Sequence, residues 1–353
     1  MSKIHSLIRE RPVLTMMRII SALFSFLAPV TFAQSTDVYN QCILDAVKAA
    51  SATTQVEEIK QRCATEVAKK TEITSEIEKE IIENKGIITE RFISENRTQF
   101  DPYVITAHKQ NYILPVYLTN RINSGAYTDI AEFGNNLDDI EAKFQLSLKV
   151  PLLKDHLLIE GDELYFGFTL SALWQVYSEQ ISKPFRETNY QPEIFYVAPL
   201  GWHPFGGNTG FTVGIEHQSN GRSQTLSRSW NRVYGGFLYE KENFATYINP
   251  WIRINEDDKD FPNDPSGDDN PDIADFMGHF ELYSVYKWHD YEFSFMGRRN
   301  FRTHNGAAEF GFTFPLTGKL KGYTTLFTGY GDSLIDYDYK QNRFGLGIAL
   351  TTF

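Results

Sequence analysis

Apolar and polar residues alternate along most of the chain beyond about residue 100. From Leu164 to Trp174, for example, almost every second residue is apolar over a run of eleven residues. Successive side chains of a β-strand point to opposite faces, so this alternation predicts a strand with one apolar face. Strands of soluble domains usually contain about five or six residues, whereas a tilted membrane-spanning strand needs about nine or more. The length of the alternating segments therefore favours a membrane-spanning barrel.

The sequence contains about twelve segments of this kind. An even number of strands suits a closed antiparallel barrel with both termini on the same side of the membrane. Short links between the segments alternate with longer ones, as turns and loops do in such barrels. We therefore expect an all-β fold, a twelve-stranded antiparallel transmembrane β-barrel over residues 101–353. The predicted strands are 103–117, 138–150, 162–176, 188–199, 209–219, 228–240, 242–254, 275–288, 290–300, 305–315, 319–331 and 340–353.

Residues 34–97 have a helical pattern instead. This region is rich in Glu and Lys, contains no proline, and places isoleucines at positions 73, 77, 81 and 88. That spacing gives a single narrow apolar stripe along a helix. We expect a small α-helical N-terminal extension whose charged residues form a solvated surface.

The first 33 residues predict a secretory signal peptide. Basic residues between Lys3 and Arg18 precede an apolar run, Ile19 to Phe32, that is too short to span a bilayer comfortably. The run ends in the small-residue site Thr31-Phe32-Ala33, so cleavage is expected near Ala33. In an exported chain a disulfide between the two cysteines, Cys42 and Cys63, is favoured over two free thiols.

The charge balance argues against a nucleic-acid partner. The chain has 34 basic and 45 acidic residues, a net charge of −11. Without residues 1–33, which carry four basic residues and one acidic residue, the net charge is −14. A surface that binds phosphate backbones is basic, so no nucleic acid is expected to bind.

One strand end carries candidate chemistry. Strand alternation places His217 and Ser219 on the same face as Val213 and Ile215, which is the apolar face. At this spacing an imidazole can take the serine proton as the hydroxyl attacks an acyl carbon. In the next strand Asn231 falls on the same face, where it can fix the tautomer of His217. A neutral amide suits a lipid boundary, where a carboxylate would be costly to desolvate.

Gly221 adds a candidate oxyanion donor, because its backbone N–H is not shielded by a side chain. A histidine and a serine at this spacing also arise by chance in long chains. From the pattern alone, a polar strand end at the aqueous interface is an equally good interpretation.

The longer string around these residues resembles a known family. His217-Gln218-Ser219-Asn220-Gly221-Arg222-Ser223 and Ser227-Arg228-Ser229-Trp230-Asn231-Arg232 are similar to the signature of the outer membrane phospholipase A family. Further similar segments are 172–175, 184–190, 268–272 and 329–337, and the resemblance covers about residues 101–353.

The resemblance implies a twelve-stranded outer-membrane barrel that hydrolyses ester bonds of phospholipids and lysophospholipids, as a phospholipase A1 and A2. It implies Ser219 as nucleophile, His217 as general base and Asn231 as orienting residue. The Gly221 N–H would be one oxyanion donor and a calcium-bound water the other. The family also implies that Ca²⁺ and homodimerisation are needed for activity.

For the calcium ion, the resemblance implies three oxygen ligands from two subunits. These are the Ser227 hydroxyl and the Arg222 main-chain carbonyl of one subunit, and the Ser182 main-chain carbonyl of the other. Two positions depart from the family. Leu170 stands where a polar residue often lies on the dimer face, so dimer strength is open. Gln224 stands where the family can have an acid, although Asp269 remains, so a second calcium site is left open.

The expected location is the bacterial outer membrane, with the helical extension in the periplasm. The alternative function is a non-enzymatic porin or scaffold barrel, and a barrel protease is a weaker third hypothesis. Bulky residues predicted to point inward, such as Tyr165, Trp230 and Tyr234, argue against a wide pore.

Overall fold

The computed structural model divides the chain into two compact units, Met1–Glu76 and Ile77–Phe353. The predicted signal peptide lies outside the described residues. No helix in the described part of the chain is long and apolar enough to cross a membrane. The described residues are 42–48, 55–66, 86–98, 105–154, 157–261, 264, 267–318 and 320–350.

The first unit contains two described helical segments, 42–48 and 56–66. Cys42 and Cys63 are joined by a disulfide, which links the two segments. Ala46 and Ile59 are buried beside Cys63, so the bridge lies within a small apolar cluster. A disulfide stabilises such a small apolar cluster mainly by restricting the unfolded chain.

The described residues of the second unit form thirteen strands and a helix that precedes them, α1 (Ile87–Thr98). Two further short helices lie in links between strands, α2 (Ala131–Asn135) and α3 (Ile273–Met277). The strands are β1 (Thr106–Ala107), β2 (Tyr112–Thr119), β3 (Ile140–Lys154), β4 (Glu163–Trp174), β5 (Phe185–Leu200), β6 (Asn208–Ser219), β7 (Ser229–Lys241), β8 (Phe244–Ile254), β9 (Phe280–Trp288), β10 (Tyr291–Arg299), β11 (Gly306–Pro315), β12 (Lys321–Tyr330) and β13 (Lys340–Ala349).

Strands β2 to β13 form a closed barrel. Each pairs antiparallel with its neighbours in sequence, and β13 pairs with β2 to close the circle. The two-residue β1 lies against β3 and is not part of the closed circle. The prediction of a twelve-stranded antiparallel barrel is therefore confirmed, and each predicted strand corresponds to one strand of the barrel.

Two predicted strands start too early. Segment 103–117 is replaced by β2 and the two-residue β1, because the described residues before β2 leave the barrel wall and His108 stacks on Phe195 of β5. Segment 275–288 starts with part of α3, and β9 begins only at Phe280. Alternation cannot distinguish a strand from an adjoining link that packs apolar residues inward.

The faces of the strands follow the predicted alternation. In β6, Val213 and Ile215 are exposed on the outer surface, whereas Glu216 between Ile215 and His217 is buried in the lumen. Tyr165, Trp230 and Tyr234 are buried together in one aromatic cluster, as predicted for bulky inward residues. The outer surface thus matches lipid and the interior is filled by side chains.

The long-loop half of the lumen also contains buried charges that pair with each other. Arg186 Nε lies 2.7 Å from Glu141 Oε1, and Arg343 Nη1 lies 2.9 Å from Glu141 Oε2. Asp336 accepts from Arg186 at 3.1 Å, which extends the network across the interior. Each of these buried charges has an opposite partner, so removing one of them would leave an uncompensated buried charge.

Helix α1 belongs to the second unit, which begins at Ile77. It packs at the short-turn end of the barrel, beside the end of β7. Glu240 at the end of β7 accepts hydrogen bonds from the backbone N–H groups of Ile88 and Thr89. A carboxylate at a helix N-terminus accepts hydrogen bonds from the free N–H groups and interacts favourably with the positive end of the helix dipole. This explains why the start of α1 lies against Glu240.

Candidate functional site

The β6–β7 hairpin brings the predicted serine, histidine and asparagine to one surface. His217 and Asn231 are direct partners across the two strands. Ser219 lies two residues from His217 at the end of β6, on the same outer face. The three residues therefore lie at the rim of the lipid-facing surface, near the long-loop end of the barrel.

His217 and Asn231 are hydrogen-bonded. His217 Nδ1 lies 2.8 Å from Asn231 Oδ1, and an amide oxygen can only accept, so the ring donates. With its proton on Nδ1, the ring has a free lone pair on Nε2, which is the nitrogen that can take a proton from a hydroxyl. Asn231 Nδ2 in turn donates to Glu256 Oε1 at 2.9 Å.

Gly221 follows Ser219 by two residues, in the loop between β6 and β7. Its φ of +63° lies in the left-handed region, and a Cβ there would lie 3.2 Å from the Tyr190 ring. Only glycine adopts this conformation at no steric cost, so the sequence places glycine where the chain turns closely past β5.

Asn220 holds the loop in shape. Its Oδ1 accepts from the backbone N–H groups of Arg222 and Arg228, at 3.2 and 3.0 Å. Its Nδ2 donates to the Leu226 carbonyl at 2.8 Å, and the side chain is buried. Asn220 thus joins both ends of the loop that contains Gly221. Sequence reasoning assigned Asn220 no role, although it lies within the family string.

The predicted calcium ligands lie in two adjacent loops. Arg222 and Ser227 belong to the loop after β6, and Ser182 is exposed in the loop between β4 and β5. The Arg222 guanidinium donates to the carbonyls of Phe185 and Arg186 at the start of β5, which connects these two loops. The structure therefore brings Arg222 and the loop of Ser182 to the same end of neighbouring strands.

The oxygen atoms present suit calcium. Ser227 Oγ donates to Asp269 Oδ2 at 2.5 Å, so a hydroxyl and a carboxylate already face each other. Hydroxyl, carbonyl and carboxylate oxygens are the hard ligands that Ca²⁺ prefers. No group of three or more His, Cys, Asp or Glu side chains suited to a metal occurs among the described residues.

The long loop between β8 and β9 supplies three residues to the site, of which sequence reasoning had named Asp269 but neither Asn270 nor Glu256. Asp269 contacts Ser227, Asn270 accepts from the Ser229 backbone N–H at 3.0 Å, and Glu256 contacts Asn231. The sequence shows an acidic loop here, but no spacing rule connects it with β6 or β7. Only folding of the barrel brings Glu256 within hydrogen-bonding distance of Asn231.

Comparisons with known proteins identify the family. A family model described as phospholipase A1 matches residues 88–350. The phospholipase A1 of Klebsiella pneumoniae is 36% identical over 257 residues, which cover 71% of this chain and 83% of the relative. The phospholipase A1 of Escherichia coli strain K12 is 35% identical over 252 residues, which cover 71% of this chain and 82% of the relative.

Two solved structures share the fold. An active-site mutant of outer membrane phospholipase A from Escherichia coli, with an asparagine replaced by alanine, matches with a TM-score of 0.65 and 34% identity over 71% of this chain and 93% of its own. The outer membrane phospholipase dimer with bound calcium from Salmonella typhi gives the same score, identity and coverage. The chain therefore belongs to the phospholipase A1 family.

Proposed function

We propose that this chain hydrolyses acyl ester bonds of phospholipids and lysophospholipids with Ser219 as nucleophile, His217 as general base and Asn231 as orienting residue. The observation that carries the proposal is the hydrogen bond between His217 and Asn231 on the outer face of the barrel. Ser219 lies on the same face, two residues after His217 in β6. A serine nucleophile, a histidine base and a third residue that orients the histidine form a known arrangement for nucleophilic acyl transfer. The Escherichia coli active-site mutant, in which an asparagine is replaced, supports the role given to Asn231.

Family membership and the twelve-stranded barrel make the chain a phospholipase of the bacterial outer membrane. Its candidate site lies on the outer surface, so a phospholipid in the bilayer can reach Ser219 without entering the lumen. The lumen itself is filled by aromatic side chains and ion pairs, which does not favour a porin.

The proposed reaction has two halves. Ser219 Oγ attacks the carbonyl carbon of the acyl ester while His217 Nε2 takes the hydroxyl proton. The resulting negative oxygen accepts a hydrogen bond from the Gly221 N–H. His217 then returns the proton to the departing alcohol oxygen, which leaves the acyl group on Ser219. A water molecule then gives a proton to His217 and attacks the acyl carbon, and His217 passes that proton to Ser219 Oγ as the bond between the acyl carbon and Oγ breaks, which releases the fatty acid and restores the serine.

We assign calcium to the Ser227 hydroxyl, the main-chain carbonyl of Arg222 and the main-chain carbonyl of Ser182 of the partner subunit. When bound, calcium supplies positive charge that stabilises the developing oxyanion. The oxygen-rich surroundings of Ser227 support this assignment, as does the Salmonella typhi phospholipase dimer with bound calcium. Because two subunits would contribute ligands, we expect hydrolysis to require homodimerisation.

Replacing the proposed nucleophile tests the function. We expect Ser219→Ala to reduce fatty acid release from phospholipid–detergent micelles by at least about 10³-fold, because only binding and oxyanion contacts remain. Ser223→Ala is the matched control, since Ser223 is an exposed serine of the adjoining loop whose side chain caps no helix. Undiminished hydrolysis by the Ser219 variant, in a preparation with wild-type barrel content, would refute the proposal.

A further inference from the structure

The Asn231 amide has two ends that are nearly equal in shape but opposite in hydrogen bonding. Its oxygen faces His217 Nδ1 at 2.8 Å, and its NH₂ group faces Glu256 Oε1 at 2.9 Å. An amide of this kind can rotate by half a turn and still fit the same space. The partner of the NH₂ end therefore decides which end faces the histidine.

Glu256 is held beside Asn231 by the strand register. Asn231 of β7 pairs with Ile254, the last residue of β8, and Glu256 follows two residues later. Continuing the alternation of β8 puts Glu256 on the same outer face as Ile254 and Asn231. Glu256 is half-buried, whereas the next two acids of the loop, Asp257 and Asp258, are exposed. The contact is thus a built part of the site and not a chance approach of a loop side chain.

We infer that Glu256 is a positioning residue, which fixes the orientation of the Asn231 amide and through it the tautomer of His217. This inference rests on the proposed function of His217 as general base. A carboxylate only accepts hydrogen bonds, so it attracts the NH₂ end of the amide and repels the oxygen end. The amide oxygen is thereby kept toward His217.

The reversed amide would disable the base. If the NH₂ group faced His217, Nδ1 would have to accept a hydrogen bond and the ring proton would move to Nε2. A protonated Nε2 of a neutral ring has no lone pair to take the Ser219 proton. Loss of the correct histidine tautomer greatly lowers kcat in serine hydrolases, so even a partial population of the reversed amide lowers kcat.

Three substitutions at residue 256 test whether its side chain orients the Asn231 amide. Glu256→Gln keeps an acceptor for the amide and should lower kcat only slightly. Glu256→Ala removes the acceptor, and we expect kcat to fall about 10- to 100-fold, the range of one charge-assisted hydrogen bond. Glu256→Lys offers only donors, favours the reversed amide and should give the lowest kcat. The KM should change little in all three, because the residue does not contact the substrate.

Asp258→Ala is the matched control. It removes the same charge from the same loop at an exposed position, so it should keep wild-type kcat.

A background without the Asn231 amide gives a second control. In Asn231→Ala there is nothing for Glu256 to orient, so adding Glu256→Ala should cause no further loss of kcat.

The tautomer can be observed without any assay of activity. Nitrogen NMR of ¹⁵N-histidine-labelled protein in detergent distinguishes a ring protonated on Nδ1 from one protonated on Nε2. We expect the Nδ1–H form for His217 in the wild-type protein and the Nε2–H form in Glu256→Lys. An unchanged His217 tautomer in that variant, or an equal loss of kcat with and without Asn231, would overturn the inference.

The proposed function and this inference fail in different ways. Full hydrolysis by Ser219→Ala refutes the assigned nucleophile whatever residue 256 does. If Ser219→Ala abolishes hydrolysis while Glu256→Ala and Glu256→Lys keep wild-type kcat, the nucleophile stands and only the positioning role of Glu256 is wrong.

Discussion

Gly221 shows how single residues shape the candidate site. The backbone N–H groups of both its neighbours are hydrogen-bonded. The Asn220 N–H donates to the Arg228 carbonyl, and the Arg222 N–H donates to the Asn220 side chain. The positive φ of Gly221 turns the chain between these two anchored residues. A rigid turn of this kind can hold a backbone donor in place before the reaction begins, which is what oxyanion stabilisation requires.

Adding a methyl group to Gly221 should damage catalysis more than folding. Gly221→Ala places a Cβ 3.2 Å from the Tyr190 ring and strains a left-handed residue by about 1–2 kcal/mol. Because relief of the strain rotates the N–H away, we expect kcat to fall about 10²- to 10³-fold with the barrel still folded. Steady-state fatty acid release measures this. Gly201→Ala, where the added Cβ meets no atom within 4 Å, should keep wild-type kcat. Equal kcat in the two variants would contradict the role of the Gly221 N–H.

At the scale of elements, the pleat of one hairpin determines where the polar residues lie. Alternation along β6 and β7 was enough to predict that His217, Ser219 and Asn231 share the outer face, because strand parity is a local property. The same reasoning failed at segment 103–117, where the chain leaves the wall. It also could not find Glu256, because a contact between a loop residue and a neighbouring strand depends on register and loop conformation.

The docking of α1 is a second feature that local pattern could not predict. The helical period indicates a helix but gives no partner, and Glu240 lies 152 residues from Ile88 along the chain. Arg91 Nη2 also donates to the His108 carbonyl at 3.0 Å, and Lys149 Nζ lies 2.8 Å from Glu95. These contacts fix α1 and the segment before β2 at the short-turn end of the lumen.

Removing the Glu240 carboxylate should loosen the start of α1. In Glu240→Ala the N–H groups of Ile88 and Thr89 lose their acceptor. Hydrogen bonds to charged groups contribute about 1.5–3 kcal/mol, so we expect amide exchange at these residues to accelerate about tenfold or more. Hydrogen–deuterium exchange measures the effect. Asp290→Ala changes an exposed acid in the short turn between β9 and β10 and should leave the exchange rates unaltered. Equal protection in both variants would show that Glu240 does not anchor α1.

At the scale of the whole molecule, the inside and the outside of the barrel have separate roles. The interior charges of Glu141, Arg186 and Arg343 are fully buried and paired, so they are not available to a lipid. The proposed chemistry lies on the outer rim instead. Beside it, the outer face of β3 to β5 is apolar at Leu146, Leu170 and Tyr190, which are neighbours across the strands.

This apolar face bears on how two copies would associate. Within a bilayer, apolar surfaces gain little from leaving lipid, so packing and polar contacts must hold helices or barrels together. Leu170 has an apolar side chain on this face, so it supplies no polar contact between two copies. Calcium bound between the Ser227 loop of one subunit and the Ser182 loop of its partner would then contribute more of the free energy of dimerisation.

Calcium removal should therefore dissociate the dimer and stop hydrolysis together. We expect chelation to convert dimers to monomers in analytical ultracentrifugation in detergent and to abolish fatty acid release over the same range of free calcium. Ser227→Ala should raise the calcium concentration needed for both by roughly tenfold or more, since it removes a proposed ligand. Ser223→Ala, in the same loop, should leave both midpoints in place. Dimers that persist without calcium while hydrolysis is lost would assign calcium to the oxyanion alone, and full hydrolysis by monomers would exclude a site shared between subunits.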